Sequence, residues 1–246
     1  IRDSSIVGVS NKMVAKYMDA IVICYEKCFE EFGREKTRLL GNPRATNAVH
    51  AKFDRDYFLS LGLSLHKPLI LVVMGSLGST SVNAIMKDAL PAVSERYQIL
   101  FVTGKNNYEE MRKQIHAPHV KVVDYVKQLD IMAHVDLIVC RAGATTAAEI
   151  TALGTPSILV PSPYVAHNHQ FYNASVLVDH KAAVMLEEKD LNAEALSNAI
   201  DRIMSDDLLR ASMHSASLAL GKPNASEDIL NLSLIHISEP TRLQLI

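Results

Sequence analysis

From about Lys67 onward, short apolar runs alternate with stretches whose apolar residues recur every three or four positions. The runs are Leu69–Met74, Gln98–Thr103, Val120–Tyr125, Leu137–Cys140, Ser157–Val160 and Ala183–Leu186. Their length predicts strands. Helices are predicted at Ser81–Arg96, Asn107–His116, Lys127–Ala133, Thr145–Leu153 and Asn168–His180, with two more at Asn192–Ser205 and Asp207–Leu220. Strand alternating with helix implies parallel strands in a doubly wound α/β sheet. Such sheets take ligands at the carboxyl ends of their strands.

Residues 1–44 pattern differently. A helix is predicted at Ser10–Tyr17, a strand at Asp19–Cys24, a short helix at Tyr25–Phe32 and a strand at Thr37–Leu40. This has the form of the closing βαβ part of a second α/β unit. Gly41-Asn42-Pro43-Arg44 makes a turn, and the polar stretch 45–66 reads as a linker into the main domain, 67–231. Residues 232–246 leave the pattern. Leu232–Arg242 (L-S-L-I-H-I-S-E-P-T-R) is similar to the translation of a sequencing-library adapter. It is expected to be a non-native ending, so His236 and Glu239 are set aside as site candidates.

Composition narrows the classes. The chain has 246 residues, 48% of them hydrophobic, enough for a core of useful size. Its formal net charge of -2 supplies no basic field, so no nucleic-acid partner is expected. No apolar run reaches membrane-spanning length; a peripheral membrane contact needs only a patch. The three cysteines, Cys24, Cys28 and Cys140, make no disulfide framework. No cluster completes a metal site around them, and neither a metal nor a cofactor is expected. His167 and His169 are two apart with no third ligand nearby, and read as loop histidines.

The chemistry concentrates at two strand-to-helix corners. Ile138–Glu149 reads I-V-C-R-A-G-A-T-T-A-A-E: an apolar strand, a turn at Gly143, then a helix opening. The free N–H groups of a helix's first turn, and its dipole, favour a bound phosphate. Thr145 and Thr146 add hydroxyl donors there. Glu149 lies one turn beyond Thr145 on the same face, and its carboxylate suits a ribose diol. The upstream corner, Leu69–Ser81, carries Gly75 and Gly78, which permit a tight turn, and Ser76, a donor. Two anion sites in one Rossmann-like unit point to a diphosphate-bearing ligand. Plainer roles exist for each residue: threonines cap helices, Glu149 and Gln170 suit a solvated surface, and Arg44 can form a simple ion pair. Arg141 can either hold its turn through carbonyls or touch ligand.

Taken together, these residues resemble the MurG family of glycosyltransferases. The family's G-G-S-Q-G turn appears as Met74-Gly75-Ser76-Leu77-Gly78, and its R-x-G-A-x-T-x-x-E segment as Arg141 through Glu149. Its proline-rich loop ending in H-Q-x-x-N-A appears as Pro161 through Ala174, and its G-N-P-R as Gly41–Arg44. The likeness covers roughly Ile1 to Leu230. It implies the GT-B fold, two Rossmann-like domains facing across a cleft, of which this chain would supply the nucleotide-sugar domain and the end of the acceptor domain. It implies transfer of N-acetylglucosamine from UDP-N-acetylglucosamine to the lipid-linked muramyl-pentapeptide of peptidoglycan synthesis, lipid I to lipid II. That work would be done at the cytoplasmic face of the bacterial membrane, peripherally.

The same likeness implies roles. Ser76 would touch the donor diphosphate or sugar; Ala144, Thr145 and Thr146 would donate to the diphosphate; Glu149 would accept from the ribose hydroxyls. Val126 would hold the uracil through its backbone, Gln170 would read sugar hydroxyls, and Arg44 would reach the donor from the interdomain side. Leu77 replaces a glutamine common in the family, and Ile1–Lys12 has drifted from the H-E-x-N-x-x-P-G-L-x-N-K pattern, with Ser4 at an asparagine position. The family's general base is expected upstream of Ile1, so the chain is expected to bind donor weakly and turn over nothing. Rival readings are another GT-B enzyme (a glycolipid glycosyltransferase or a UDP-sugar epimerase), a non-catalytic nucleotide-sugar binder, and a dinucleotide oxidoreductase. The last is disfavoured because the G-x-x-G turns fall short of G-x-G-x-x-G.

Overall fold

Near the amino terminus, helix α1 (Val9–Ala15) leads into strand β1 (Ile21–Ile23), helix α2 (Phe29–Phe32) and strand β2 (Thr37–Leu39). The computed structural model describes residues 7–75 and 79–238, the side chains of 235–238 excepted. β1 and β2 pair in parallel, Ile21 opposite Thr37 through Ile23 opposite Leu39. Ile23, Tyr25 and Cys28 form a small core under them. Helix α1 buries none of its residues, and Val9, Met13 and Tyr17 stand exposed.

The stretch read from the sequence as a polar linker holds two helices, α3 (Arg44–His50) and α4 (Arg55–Ser60). The reason that the sequence pattern does not announce them is physical. α3 buries small residues, Ala45, Thr46 and Ala48, with Ala45 and Ala48 packed against Ala152. Alanines give little hydrophobic contrast in a sequence yet let helices approach closely. α4 is capped by Asp54, whose carboxylate accepts from the Tyr57 N–H at 2.9 Å.

The main sheet follows the predicted alternation. Its elements are β3 (Leu69–Val73), α5 (Thr80–Val93), β4 (Gln98–Val102), α6 (Tyr108–Gln114), β5 (Val120–Val123), α7 (Gln128–Met132), β6 (Leu137–Cys140), α8 (Ala144–Leu153), β7 (Ser157–Leu159), α9 (His169–Asp179), β8 (Ala183–Met185), α10 (Ala193–Met204), α11 (Asp207–Leu220) and α12 (Ala225–Ser238). All six strands run parallel in the order β5-β4-β3-β6-β7-β8. The order reverses between β3 and β6, which opens a crevice at their carboxyl ends.

Alternate residues of each strand feed separate cores. Ile70, Val72, Ile99, Phe101, Leu137 and Val139 pack with Met86 and Leu90 of α5 and Ile200 and Ile203 of α10. Leu69, Leu71, Leu100, Ile138 and Leu159 pack with Phe58, Ile131, Ile150 and Leu177 on the other face. Central strands buried on both sides give the unbroken apolar runs. Most strands stop a residue or two before the predicted run does, because the chain leaves the ladder to turn toward the crevice.

α12 continues through Ser238, so the backbone shows no break at residue 232. Its first turn is tied to α3: the Ser226 N–H donates to Thr46 Oγ1 at 3.0 Å, and Ser226 Oγ to the Pro43 carbonyl at 3.4 Å. Among the described residues, no helix is long and apolar enough to cross a membrane.

Candidate functional site

The carboxyl ends of β3 and β6 are neighbours, with Val73 opposite Cys140. Both glycine corners therefore open at the same place. The cleft there has a volume of about 670 Å³. It gathers Arg44, Gly75, Val126, Gly143, Thr145, Thr146, Glu149 and Gln170, residues that lie as far as 126 positions apart. Ser76 and Gly78 lie outside the described residues, as do Leu77 and Ser4. Ala144 is placed differently: it lines a second cavity, between α8 and the β1–β2 unit, so only its backbone N–H is left to serve the cleft.

The two glycines differ. Gly75 has φ of +86°, the left-handed region that a side chain disfavours, so glycine is required by conformation. Gly143 has an ordinary φ of -67° and needs no such freedom; a Cβ there would meet nothing closer than Thr146 Oγ1 at 4.0 Å. Its contribution is openness over the start of α8. Gly143 is the N-cap of α8 and has no side chain to cap it, whereas Asp54, Asn192 and Asp206 cap α4, α10 and α11. Thr145 and Thr146 sit in the first turn, not at the cap. The first N–H groups of α8 thus face the cleft without an intrahelical partner, beside a positive dipole end.

Glu149 is the cleft's buried charge. Its side chain is 4% exposed, that of Arg44 46%. Arg44 donates to Glu149 Oε1 from Nε at 2.9 Å and from Nη2 at 2.5 Å. Gln128 Nε2 donates to the other oxygen, Oε2, at 3.1 Å. Burial pushes the Glu149 carboxyl above the usual carboxylate range, and the Arg44 pairing opposes that shift only in part. Cys140, at the last position of β6, is buried beside it; desolvation foremost, and the charge of Glu149, raise its thiol above the ordinary value. Arg44 itself is aimed by the turn before it: Asn42 Oδ1 accepts from the Arg44 N–H at 2.9 Å at the start of α3.

Gln170 reaches the cleft from α9. Its Oε1 accepts from the Ser162 N–H at 2.9 Å, which pins the loop and leaves the Nε2 donors outside that bond. Just ahead of it His167 and Asn168 adopt left-handed φ of +55° and +51°. Two successive non-glycine residues there hold strain of order 1–3 kcal/mol each. Among the described residues no cluster of His, Cys, Asp and Glu is placed to hold a metal. Val126 is buried, at the turn between β5 and α7, and lines the cleft.

Arg141 holds its turn. Nη1 donates to the Val160 carbonyl at 3.1 Å and pairs with Glu188 Oε2 at 2.9 Å, and Nη2 donates to Ser79 Oγ at 2.9 Å. Sequence reasoning missed Gln128 and Glu188. Gln128 lies two positions past Val126 in a short helix opening, a local cue that could have been followed. Glu188 lies 47 residues from Arg141, and no spacing rule joins them.

Residues 69–229 match the glycosyltransferase family 28 C-terminal domain. A curated relative from Limosilactobacillus reuteri, named UDP-N-acetylglucosamine–N-acetylmuramyl-(pentapeptide) pyrophosphoryl-undecaprenol N-acetylglucosamine transferase, is 40% identical over 238 residues. The match takes in 93% of this chain and 64% of that one, so the chain spans slightly less than two-thirds of its relative's length. Among solved structures, Acinetobacter baumannii MurG superposes with a TM-score of 0.76 at 22% identity, over 94% of this chain and 64% of that one. S. aureus MnaA, solved with UDP, gives 0.71 at 15% identity, over 95% and 65%. These likenesses establish a GT-B-type fold.

Proposed function

We propose, on the premise that this chain belongs to glycosyltransferase family 28, that it forms the nucleotide-sugar half of an N-acetylglucosaminyltransferase. The donor is UDP-N-acetylglucosamine and the acceptor is the lipid-linked muramyl-pentapeptide, converted from lipid I to lipid II in peptidoglycan synthesis. The observation that carries this reading is the cleft at β3 and β6, where an uncapped helix start and a buried carboxylate face one space. A diphosphate and a ribose diol are the two chemistries those groups recognise. The relative's printed name supplies the sugar and the acceptor.

The roles that the family resemblance implies are compatible with the described positions. The backbone N–H and carbonyl of Val126 suit the edge of uracil. Glu149 accepts from the ribose hydroxyls. The first turn of α8, with the Thr145 and Thr146 hydroxyls and the backbone of Ala144, receives the diphosphate; the part assigned to Ser76 rests on the resemblance alone. Gln170 Nε2 donates to a sugar hydroxyl. Arg44, half-exposed and fixed in charge, serves the diphosphate from α3. The chemistry is a displacement at the anomeric carbon by the acceptor hydroxyl, whose proton goes to a general base. The bond from that carbon to the β-phosphate oxygen breaks as the new one forms. The negative charge left on UDP is met by the N–H groups and dipole of α8, which are already oriented before the reaction. The acceptor is membrane-borne, so the enzyme works at the cytoplasmic membrane surface, docked peripherally.

Calorimetry with UDP, UDP-N-acetylglucosamine and NAD tests the donor half. Saturable binding of both uridine ligands, with none of NAD, is the expected result; binding of NAD alone would overturn the reading.

A further inference from the structure

We propose that Arg141 and Glu188 are positioning residues that set the spacing between the two helix starts at the cleft. This rests on the nucleotide-sugar reading above and adds to it a pair of residues whose task is spacing, although Arg141 itself lines the cleft. The sheet fixes where β3 and β6 end, but it does not fix where α5 begins. Ser79 and the first turn of α5 belong to no strand of that sheet. Something else must hold the start of α5 against the start of α8.

The structure assigns that task to a closed ring of side chains. Arg141 follows β6 directly and lies two residues before the cap of α8. Its Nη2 donates to Ser79 Oγ, at the cap position of α5. Its Nη1 pairs with Glu188 Oε2, and Glu188 Oε1 accepts from Ser81 Oγ at 2.7 Å, within the first turn of α5. Ser79 and Ser81 approach each other at 3.3 Å, which closes the ring. Nη1 also reaches the Val160 carbonyl at the end of β7. Arg141 and Glu188 are each only 11% exposed. The ring thus links β6, β7, the segment after β8 and α5.

Charge explains why Arg141, though it lines the cleft, serves as a brace. An arginine free to meet a diphosphate would add fixed positive charge to the cleft. Here Glu188 neutralises it at contact distance, so the pair contributes shape and no net charge. A buried pair of this kind adds little net stability but fixes a geometry well. Two anion cradles must match the separation of two phosphates, so geometry is the quantity that binding depends on.

The test compares how Glu188→Ala and Ser81→Ala change the affinity of the chain for UDP and for uridine, by calorimetry. Uridine reports the base and ribose contacts, which lie at Val126 and Glu149, away from the ring. Loosening α5 relative to α8 should weaken UDP by about tenfold and uridine by less than about twofold, since only the diphosphate bridges both helix starts. Glu188→Gln keeps an oxygen for Arg141 and should restore most of the UDP affinity. Ser81 is exposed and its loss leaves the ion pair intact, so that variant decides the matter if Glu188→Ala does not fold. Equal losses for UDP and uridine, or no loss, would overturn the brace. So would tighter UDP binding in Glu188→Ala, the mark of an arginine released to touch ligand. Failure of the unaltered chain to bind either compound would instead overturn the nucleotide reading, and the brace with it.

Discussion

Replacing Arg44 by alanine removes both hydrogen bonds to Glu149 Oε1 and leaves Gln128 alone on Oε2. Removing one partner of a fully buried ion pair costs about 3–5 kcal/mol, and an exposed pair is worth about 0–1. This pair lies between those limits, because Glu149 is almost fully enclosed while nearly half of the Arg44 side chain meets solvent. Two effects reduce the loss further. Water can enter where the guanidinium stood, and the carboxyl, already disposed to hold its proton, can take one up. The expected destabilisation is about 1–2 kcal/mol, a fall in Tm of about 3–6 °C for a domain of this size. Urea denaturation of the wild type, Arg44→Ala, Glu149→Gln and the double variant closes a thermodynamic cycle. With the charge of Glu149 gone, losing Arg44 should cost less than about 0.5 kcal/mol. If Arg44→Ala costs the same in both backgrounds, the pairing has no energetic meaning and Glu149 is held by its surroundings alone.

The raised Glu149 carboxyl carries a pH dependence of definite sign. Its contribution is complete below the ordinary glutamate range and is lost as pH rises through the raised value, so the Tm of the wild type should fall relative to Glu149→Gln across that interval; a flat difference would refute it. Gly41 has φ of +85°, and a Cβ there would lie 2.5 Å from Lys222 Cβ, so Gly41→Ala should cost about 1–3 kcal/mol in thermal denaturation. Gln128→Ala should reduce the preference for UDP over 2′-deoxy-UDP by about threefold to tenfold, measured by calorimetry, because Glu149 Oε2 loses its only side-chain donor among the described residues.

Much of the fold was legible because the two-faced sheet writes itself into the chain. Leu137–Cys140 and Asp207–Leu220 were bounded to the residue by apolar run and helical period. The gaps lie where packing is done by small side chains. α3 presents Ala45 and Ala48, which carry too little apolar contrast to announce a helix, and it was read as linker. The site divides in the same way. Thr145, Thr146 and Glu149 share one helix, so helical period alone brings them together. The partners of Arg141 come from Ser79, Val160 and Glu188, three separate crossovers, and only the sheet order makes them neighbours. Arg44 could be read as a cation near the cleft; that it would occupy Glu149 could not, since 105 residues separate them.

The stitch between α12 and α3 bears on the order in which this chain is made. Ser226 follows Thr46 by 180 positions. A ribosome delivers all six strands of the main sheet before it delivers that serine. The sheet can therefore close during synthesis, domain by domain in the usual manner, while the helix bearing Arg44 still lacks its last two hydrogen bonds. Completion of the nucleotide cleft is in this sense a late event, timed by the arrival of the final helix.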